Sequence, residues 1–348
     1  MKAITVVPGK VSSTALENLD EPAASAGSVL VETIAVGICG TDLEIVGGEY
    51  GWAPEGHERL VLGHESIGRV VEAPAGSGLA AGDFVVGIVR RPDPVPCYNC
   101  AAGEWDFCRN GQYTEHGIKS LDGFMRERYR AEPDALVKVD PDLGELAVLL
   151  EPTSVVAKAW EQAELVGRRA TWHPKTAVIT GAGPIGLLAA LIGVQKDLDV
   201  HVFDQMTEGL KPDLVHEVGA TYHTGPIEQS VDDPDMILEC TGVPALVFDA
   251  IEHIGTGGVV CLTGVSPTGR NLAIDAGLVN RSMVLANEGV VGSVNANRRH
   301  YQAAADALAA ASADWLGKLI TRKVPIDDFQ QAFERRPDDV KVVLQVSG

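Results

Sequence analysis

The sequence predicts an α/β protein of two domains, one mainly β and one built on a parallel sheet. The chain of 348 residues is long enough for two domains, and we find no internal repeat or low-complexity linker in it. Short strand patterns separated by Gly and Pro turns fill residues 1 to about 155. From Thr176 onward strand and helix patterns alternate, which is typical of parallel strands joined by right-handed helical crossovers.

The individual elements follow from changes in apolar spacing along the chain. The mainly β region contains strand candidates such as GSVLVETIAVGI and GDFVVGIV. Near EPTSVVAKAWEQAELV the spacing becomes helical, so we predict a helix that crosses between the domains. The strand patterns in TAVITGAGPIG, DVHVFD, DMILECTG and GVVCLTGV then alternate with helical patterns such as LLAALIGVQ and VFDAIEHIG, and the alanine-rich helix YQAAADALAAAS and the strand KVVLQVS follow in the last 50 residues. We predict one domain from residues 1–157 and 292–348 and another from residues 158–291.

Composition excludes some classes of partner. The formal net charge is −20 and the pI is about 4.8, so the summed field repels phosphate backbones and anionic membrane surfaces. We therefore expect neither nucleic acid nor membrane as a partner. The acidity is that of a soluble surface or, as the alternative, of adaptation to a salty cytoplasm. No apolar run approaches the roughly 18 residues that span a bilayer, and MKAITVVPGK is unlike an export signal, so a cytoplasmic location is expected.

The cysteines fall into two kinds of context. Cys97, Cys100 and Cys108 have C-x2-C-x7-C spacing, which in a chain without an export signal indicates a metal site more than disulfides. Cys240 and Cys261 lie in apolar strand patterns, where small buried thiols are common.

A glycine-rich motif indicates dinucleotide binding. In VITGAGPIG the residues Gly181, Gly183 and Gly186 form G-x-G-x-x-G between a strand and a helix, where backbone amides face a pyrophosphate. Asp204 ends the next strand, 18 residues beyond Gly186, and is placed to accept hydrogen bonds from an adenosine ribose. A 2′-phosphate there would meet like charge, so NAD is predicted over NADP. The alternative is that Asp204 only caps a turn.

Two adjacent ionisable residues interrupt the apolar stretch LVLGHESIG. A buried His64 and Glu65 would each need a partner, because an unpaired charge away from water costs several kcal/mol. Cys39 in VGICGTDLE and Glu151 at the start of EPTSV offer a thiolate and a further carboxylate, and such a set can hold Zn²⁺. The alternative for an isolated histidine is a core residue satisfied by hydrogen bonds.

Several motifs resemble a known family. VGICGTDLEIVGGEYG, LVLGHE, the clustered cysteines, EHGIKSLDGFM, LLEPTSV, GAGPIG and NEGVVGSVN resemble the zinc-dependent medium-chain dehydrogenases, and among them the microbial glucose dehydrogenases. The likeness spans nearly the whole chain. It implies a GroES-like, mainly β catalytic domain followed by a Rossmann domain, with Zn²⁺ as a cofactor beside the NAD that Asp204 predicts. It also implies a catalytic zinc held by Cys39, His64 and Glu151, with Glu65 within reach.

Besides Asp204, two positions near the expected metal sites depart from the pattern of that family. Members with a structural zinc usually carry four cysteines, and the first of them is replaced here by Pro94. Either Asp93 supplies the fourth ligand beside Cys97, Cys100 and Cys108, or the site is empty; we expect zinc. Glutamine often stands where this chain has Glu151, and glutamate there is more similar to polyol dehydrogenases.

The resemblance assigns roles to further residues. Thr41 resembles the hydroxyl that contacts the reacting oxygen, although a Thr in such a turn often only bonds nearby backbone. Thr41, His64 and Glu65 are the expected catalytic group. Glu115 and Asn295 resemble residues that bind sugar together with Glu151, although a loop glutamate by itself is usually solvated. The expected cofactor-binding residues are Gly181, Gly183, Pro184, Ile185, Gly186, Asp204, Gln205, Thr241, Gly264 and Asn287.

Three functions are consistent with these residues. The first is an NAD-dependent aldose 1-dehydrogenase that oxidises a pyranose C1 hydroxyl to a lactone. The second is a dehydrogenase of a polyol, cyclitol or modified sugar, and the third is a non-catalytic relative, which the complete ligand set and glycine motif argue against. We also expect a homodimer or homotetramer, because related enzymes pair the edges of their nucleotide-binding sheets and GVVGSV is an apolar candidate for such an edge.

Overall fold

The chain divides into two compact units. The computed structural model describes residues 1–267, 269 and 271–347. One unit comprises Met1–Ser154 and Asn295–Gly348, and the other is Val155–Val294. The boundaries predicted above, at residues 157 and 292, each lie three residues from these junctions.

The first unit opens as a mainly β structure. Its elements are β1 (Lys2–Val6), β2 (Ala15–Asn18), β3 (Val29–Gly37), α1 (Gly40–Val46), β4 (Leu60–Val61), β5 (Glu65–Glu72), β6 (Phe84–Gly87), β7 (Arg90–Arg91), α2 (Tyr98–Ala101), β8 (Thr114–His116), β9 (Ser120–Leu121), β10 (Arg128–Ala131) and β11 (Leu136–Lys138). Short 3-10 helices occur at Ala24–Ala26, Trp105–Phe107, Pro133–Ala135 and Pro141–Leu149. Helix α3 (Leu150–Gly167) then carries the chain into the second unit.

The second unit is an alternation of strands and helices. Its elements are β12 (Thr176–Thr180), α4 (Pro184–Gln195), β13 (Asp199–Phe203), α5 (Leu210–Val218), β14 (Thr221–His223), a 3-10 helix (Ile227–Gln229), β15 (Met236–Glu239), α6 (Pro244–Glu252), β16 (Val259–Leu262), α7 (Ala276–Ala286) and β17 (Gly289–Gly292). The strands pair in parallel in the order β14-β13-β12-β15-β16-β17. This is the strand order of the Rossmann fold, so that prediction is confirmed.

The last segment returns to the first unit and completes its main sheet. It contains α8 (Arg298–Ala309), α9 (Ala313–Leu319), β18 (Ile320–Pro325), a 3-10 helix (Ile326–Phe333) and β19 (Lys341–Gln345). The sheet order is β11-β6-β5-β3-β19-β18, and β10 also pairs with β3. β19 and β5 pair with opposite sides of β3, and both pair at Gly37, so only the backbone of one glycine separates β19 from Glu65. The GroES-like domain is thereby confirmed in its architecture.

Buried apolar side chains explain both sheets. Val31, Val36, Val70 and Leu344 contribute to the core of the first unit, in strands that are buried over most of their length. In the second unit the strands are buried on both faces, as in VVCL of β16, which is typical of parallel sheets covered by helices. Among the helices of the described residues, none has the length and apolar character needed to cross a bilayer.

Candidate active site

The first candidate metal ligand, Cys39, lies at the start of a short helix. It is the N-cap residue of α1, and its backbone N–H donates to Asp42 Oδ2 over 2.9 Å. The side chain of Cys39 in turn accepts a hydrogen bond from the third residue of the helix, so the two residues form a capping box. This local bonding explains why GICGTD turns here and holds the thiol in one position.

His64 is oriented by the same carboxylate. Its side chain is only 5 % exposed, and its Nδ1 lies 3.5 Å from Asp42 Oδ1. Burial lowers the pKa of His64, but the neighbouring Asp42 outweighs this effect and raises that pKa well above its ordinary value. Within the described residues, His64 Nδ1 and Asp42 Oδ1 have no hydrogen-bond partner. Sequence reasoning missed Asp42, although its position three residues after Cys39 was a signal.

Glu65 has a partner that the sequence analysis also missed. Lys341 Nζ, on β19, donates to Glu65 Oε1 over 2.8 Å and to Oε2 over 2.6 Å. Burial lowers the pKa of Lys341, but the Glu65 carboxylate outweighs this effect and raises that pKa above its ordinary value. Gly37 stands opposite Glu65 in the β3–β5 register, and a Cβ there would overlap Glu65 Oε2. The signal in the sequence was a single lysine at the start of the apolar strand KVVLQ.

Glu151 lies in the first turn of α3 and is buried. Burial raises the pKa of Glu151 to about 7, His64 opposes this shift, and Glu65 adds to it. The Glu151 carboxylate therefore lies close enough to His64 and Glu65 for electrostatic interaction with both. This is consistent with a position at the edge of the group of candidate metal ligands.

The donor set fits a zinc ion. The ligand atoms of Cys39, His64 and Glu65 all lie within 4.8 Å of one another, and the orphaned Nδ1 of His64 is the atom that a metal-bound imidazole would direct at Asp42. A thiolate, an imidazole and carboxylates are ligands that Zn²⁺ takes in catalytic sites. Glu151 lies outside this 4.8 Å group, and its coordination of the metal stays a prediction.

A second thiol cluster lies between β7 and β8. The sulfur atoms of Cys97, Cys100 and Cys108 lie within 4.8 Å of one another, and all carry free thiols. Hydrogen bonds, first of all from the backbone N–H of Arg109, lower the pKa of Cys97 to about 6. Burial raises the pKa of Cys100 to about 11. Three thiols at this separation suit a structural zinc. We call residues 93–110 the cysteine lobe.

Asp93 lies beside this cluster without joining it. Its Oδ1 accepts a hydrogen bond from the backbone N–H of Val95 over 2.8 Å, and its carboxylate is outside the 4.8 Å group of thiols. Asp93 Oδ2 is buried and has no hydrogen-bond partner among the described residues. An unsatisfied buried oxygen here leaves Asp93 a candidate for the fourth ligand.

The glycine motif forms the expected turn between β12 and α4. Gly181 has φ of +90° and donates its N–H to Phe203 O over 2.7 Å. A Cβ at Gly186 would overlap the carbonyl oxygen of Gly181, so the helix can approach the strand only with glycine here. Gly183 is the N-cap of α4 with Pro184 next to it, and Ile185 follows in the first turn. The amino end of α4 is thus open toward an anion.

Asp204 is held in place beside this turn. Its Oδ2 accepts from the Ala182 N–H over 2.8 Å and its Oδ1 from the Met206 N–H over 3.2 Å. Lys211, in α5, brings its Nζ to 3.5 Å from Asp204 Oδ2. Sequence reasoning missed Lys211, which lies in α5 beyond the end of the strand and loop that carry Asp204. Gln205 is exposed.

Other predicted cofactor residues follow the carboxyl ends of neighbouring strands. Thr241 follows β15 and Gly264 follows β16, at the same edge as the glycine turn. Both loops are bound to Glu239, whose Oε1 accepts from the Thr241 N–H over 2.8 Å and whose backbone oxygen accepts from the Gly264 N–H over 3.0 Å. Glu239 was missed, although an acid at the end of MILE was visible.

Asn287 does not lie with this group. It ends α7 before β17 begins, at the amino end of the sheet, where its backbone oxygen accepts a hydrogen bond from Arg169. Ligands bind such sheets at the carboxyl ends of the strands, so the prediction of a cofactor contact for Asn287 is corrected. Ser293 follows β17 at the carboxyl end, and its buried Oγ has no partner within the described residues.

The predicted sugar ligands are in contact. Asn295 Nδ2 donates to Glu115 Oε1 over 2.9 Å, and Asn295 adopts φ of +61°, a strained conformation that asparagine tolerates. Glu115 is buried, not solvated as a loop glutamate usually is.

Two aromatic residues that the sequence analysis did not single out, Tyr50 and Trp52, form an edge-to-face pair with ring centroids 4.9 Å apart. Burial and then the Glu115 carboxylate raise the pKa of Tyr50, so this exposed aromatic pair is near Glu115. Thr41 is half-buried in the first turn of α1.

This fold and these sites define a class, the zinc-dependent medium-chain dehydrogenases. The alcohol dehydrogenase GroES-like domain matches residues 25–141, and the glucose dehydrogenase C-terminus matches residues 144–346. The chain belongs to the glucose dehydrogenase family within this class and is an NAD(P)-dependent enzyme acting on CH–OH groups.

Individual relatives agree over the full length. The chain is 39 % identical to the glucose 1-dehydrogenase of Methanocella arvoryzae, covering 100 % of both chains. It is 40 % identical to glucose 1-dehydrogenase 2 of Vulcanisaeta moutnovskia, covering 99 % of each. The glucose dehydrogenase of Haloferax mediterranei, solved in complex with NADP, Zn and gluconolactone, superposes with a TM-score of 0.92 at 32 % identity over 100 % of both chains.

Proposed function

We propose that the protein oxidises the C1 hydroxyl of an aldopyranose such as glucose to the lactone, with a nicotinamide dinucleotide as hydride acceptor and NAD preferred. The observation that carries this proposal is the combination in one unit of the Cys39–His64–Glu65 group and the buried Glu115–Asn295 pair. One group suits a Lewis-acidic metal, and the other offers fixed polar atoms to hydroxyl groups.

Cys39, His64 and Glu151, with Glu65 within reach, would hold the catalytic zinc. When bound there, zinc would act as a Lewis acid and lower the pKa of the reacting sugar hydroxyl toward neutral pH. The chain itself fixes the geometry of this group. Asp42 Oδ1 lies 3.5 Å from Nδ1 of His64, so Nε2 is the ring nitrogen that would serve the metal, and Lys341 Nζ donates to both oxygens of the buried Glu65 carboxylate.

The reaction moves a hydride and a proton to different destinations. Oxidation breaks the C1–H bond and transfers that hydrogen with its electron pair to nicotinamide C4, while the C1 hydroxyl loses its proton. Thr41, in the first turn of α1 after Cys39, carries the side-chain hydroxyl that we propose relays this proton: its oxygen takes the proton as its own O–H proton passes on to solvent water. The oxygen of the C1 hydroxyl becomes the carbonyl oxygen of the lactone. The two electrons that the sugar loses both travel with the hydride to the nicotinamide.

Recognition of the sugar rests on Glu115 and Asn295. A pyranose presents several hydroxyl donors, and a buried carboxylate that is already fixed by protein donors can bind one of them with little further ordering. The relatives named above are glucose 1-dehydrogenases, and the Haloferax mediterranei structure contains gluconolactone, the product that oxidation of glucose at C1 yields. Both facts support an aldose over a polyol.

The choice of cofactor rests on Asp204, and two observations bear on it in opposite directions. The carboxylate accepts hydrogen bonds from the Ala182 and Met206 N–H groups and, at the end of the second strand of this fold, would face an adenosine ribose and would repel a 2′-phosphate. Lys211 partly offsets that charge at 3.5 Å, and the Haloferax mediterranei relative was solved with NADP. We favour NAD, because the carboxylate lies beside the glycine turn and is fixed by two backbone donors.

A substrate screen tests the proposal. The purified protein, loaded with zinc, is assayed with aldoses, polyols and cyclitols at a fixed concentration of NAD and then of NADP. We expect the highest kcat/KM with an aldose, and the product should be a lactone that opens to the aldonic acid. A higher kcat/KM with a polyol or cyclitol would overturn the C1 assignment while leaving the dehydrogenase class intact.

A further inference from the structure

The carboxylate of Glu115 is fixed by donors on one of its two oxygens. Arg90 Nε and Nη2 donate to Glu115 Oε1 over 3.0 and 2.9 Å, and Asn295 Nδ2 donates to the same atom over 2.9 Å. Arg90 and Glu115 are each only 6 % exposed. Within the described residues these hydrogen bonds all fall on Oε1, so Oε2 is the oxygen that remains to receive a hydroxyl.

Arg90 is placed by strand pairing and by an aromatic ring. It stands directly opposite Glu115 in the antiparallel pair of β7 and β8. Its guanidinium carbon lies 3.8 Å from the ring centroid of Tyr113, within the range of a cation–π contact. The planar guanidinium thus has its plane held by Tyr113 while two of its nitrogens point at one carboxylate oxygen, a fork geometry that an ammonium cannot reproduce.

The third guanidinium nitrogen of Arg90 contacts the cysteine lobe. Arg90 Nη1 donates to the backbone oxygen of Asp106 over 3.1 Å, and Asp106 lies two residues before Cys108. The side chain of Asp106 accepts a hydrogen bond from Asn297 Nδ2 over 3.0 Å at Oδ1. Asn295 and Asn297, two residues apart, therefore bind Glu115 and Asp106, which closes a buried network.

We propose that Arg90 is the positioning residue for the sugar-binding carboxylate of Glu115, and that Asp106 joins this pair to the cysteine lobe. The inference rests on the proposed function, in which Glu115 binds a sugar hydroxyl. It assigns the lobe a role beyond stabilising a loop: an intact lobe keeps the affinity for sugar high and leaves the binding of dinucleotide unchanged.

Arg90→Met and Arg90→Lys test the positioning role, with Arg91→Lys as the matched control. Arg91 is the adjacent, half-buried arginine, but its guanidinium donates to the carbonyl oxygens of Ile88 and Ala135. We expect Arg90→Met to raise the KM for sugar about tenfold or more while kcat stays within about threefold, because ground-state and transition-state binding are lost together. Arg90→Lys keeps the charge and should recover part of that loss. The Kd for NADH, measured by fluorescence, and the zinc content should not change.

Arg91→Lys should lower the melting temperature without changing the KM for sugar. If the Arg90 variants behave in the same way as Arg91→Lys, the positioning role is wrong. Glu115→Gln separates this failure from a failure of the proposed function. An unchanged sugar KM in Glu115→Gln removes Glu115 from the sugar site, whereas a raised KM there beside unaffected Arg90 variants removes only the role of Arg90.

Asn297→Ser tests the link to the lobe and remains informative if Arg90→Met does not fold. Serine retains an oxygen that can cap α8 in place of the Asn297 side chain, which accepts from the Arg299 N–H, but it removes the amide that donates to Asp106. We expect the KM for sugar to rise about threefold, with the Kd for NADH and the zinc content unchanged. An unchanged KM in a variant with a normal melting temperature would remove the link between lobe and sugar site.

Discussion

Lys341 Nζ donates hydrogen bonds to both carboxylate oxygens of Glu65, over 2.8 and 2.6 Å, in the buried interior of the first unit. The two residues are 276 positions apart in the chain and meet because β19 and β5 both flank β3. Lys341 Nζ also donates to the backbone oxygen of Ile38, next to Cys39, so one ammonium is in contact with two segments of the candidate metal site.

Replacement of Lys341 should destabilise the protein strongly. Lys341→Met leaves the buried Glu65 carboxylate without its cation, a loss of about 3 to 5 kcal/mol in comparable buried pairs. A domain of about 200 residues loses roughly 2 to 4 °C of melting temperature per kcal/mol, so calorimetry should show a drop of at least about 6 °C. The double variant Glu65→Leu with Lys341→Met removes both charges and should recover part of this loss. Equal destabilisation in the double variant would argue against a charge effect.

Asp42 should control the affinity for the catalytic zinc. His64→Ala removes a ligand and should abolish zinc at this site, with the fold retained in circular dichroism. In Asp42→Asn the amide oxygen must face the Cys39 N–H, so the NH₂ group faces His64 Nδ1 and opposes the useful tautomer. Loss of such an orienting partner typically costs about 10- to 100-fold in metal affinity, which competition with a chelator measures. Full activity in zinc-free His64→Ala would reject the metal assignment.

The cysteine lobe should lose its metal and its stability together. Cys100→Ser removes one thiol of the cluster, so we expect the zinc content to fall by about one ion per chain and the melting temperature to fall with it, since structural zinc binding is coupled to folding. Cys261→Ser is the control, because Cys261 is a buried thiol of β16 outside the metal-ligand groups of the described residues. Asp93→Ala asks separately whether its carboxylate is the fourth ligand. Unchanged zinc content in Cys100→Ser would show that the lobe carries no metal.

Cofactor preference should depend on two residues of opposite charge. We expect kcat/KM with NAD to exceed that with NADP by at least about tenfold, equivalent to roughly 1.4 kcal/mol. Asp204→Gly combined with Gln205→Arg should narrow or invert the preference, because one change removes a repulsion and the other supplies a phosphate partner. Lys211→Met should weaken NADPH more than NADH in fluorescence titrations, since the charge of Asp204 is then no longer offset. A native preference for NADP would overturn the role of Asp204.

Self-association should use the second unit. Helix α7 has Leu278, Val284 and Leu285 exposed by 55, 66 and 67 %, and β17 is an edge strand of the parallel sheet in the described residues. Apolar side chains beside an open edge favour pairing with another chain. We expect light scattering to show a dimer or tetramer at micromolar concentration, and Val284→Glu with Leu285→Glu to shift it toward the monomer. A native monomer would contradict this proposal.

Local spacing in the sequence is sufficient to predict the nucleotide-binding unit. A strand, a glycine turn and a helix lie within 20 consecutive residues, so local interactions determine the geometry of VITGAGPIG. The next strand pairs directly with the first, which brings its aspartate beside the turn. The cysteines at C-x2-C-x7-C spacing gather for the same reason, because a loop of 12 residues leaves their thiols few places to lie. Asn287 shows the limit of this reasoning: a motif near a strand does not say which end of the strand it occupies.

Only the tertiary structure decides which residues face the buried charges. Lys341, Arg90 and Asn297 meet charged or polar partners that are distant in sequence and that strand register or helix placement brings near. Lys211 is only seven residues after Asp204, and the placement of α5 brings the two side chains together. A shift of one residue in any of these strands would turn the side chain to the other face of the sheet. The ligand types are thus present in the sequence, whereas their charge partners exist only because the folded sheets bring them into contact.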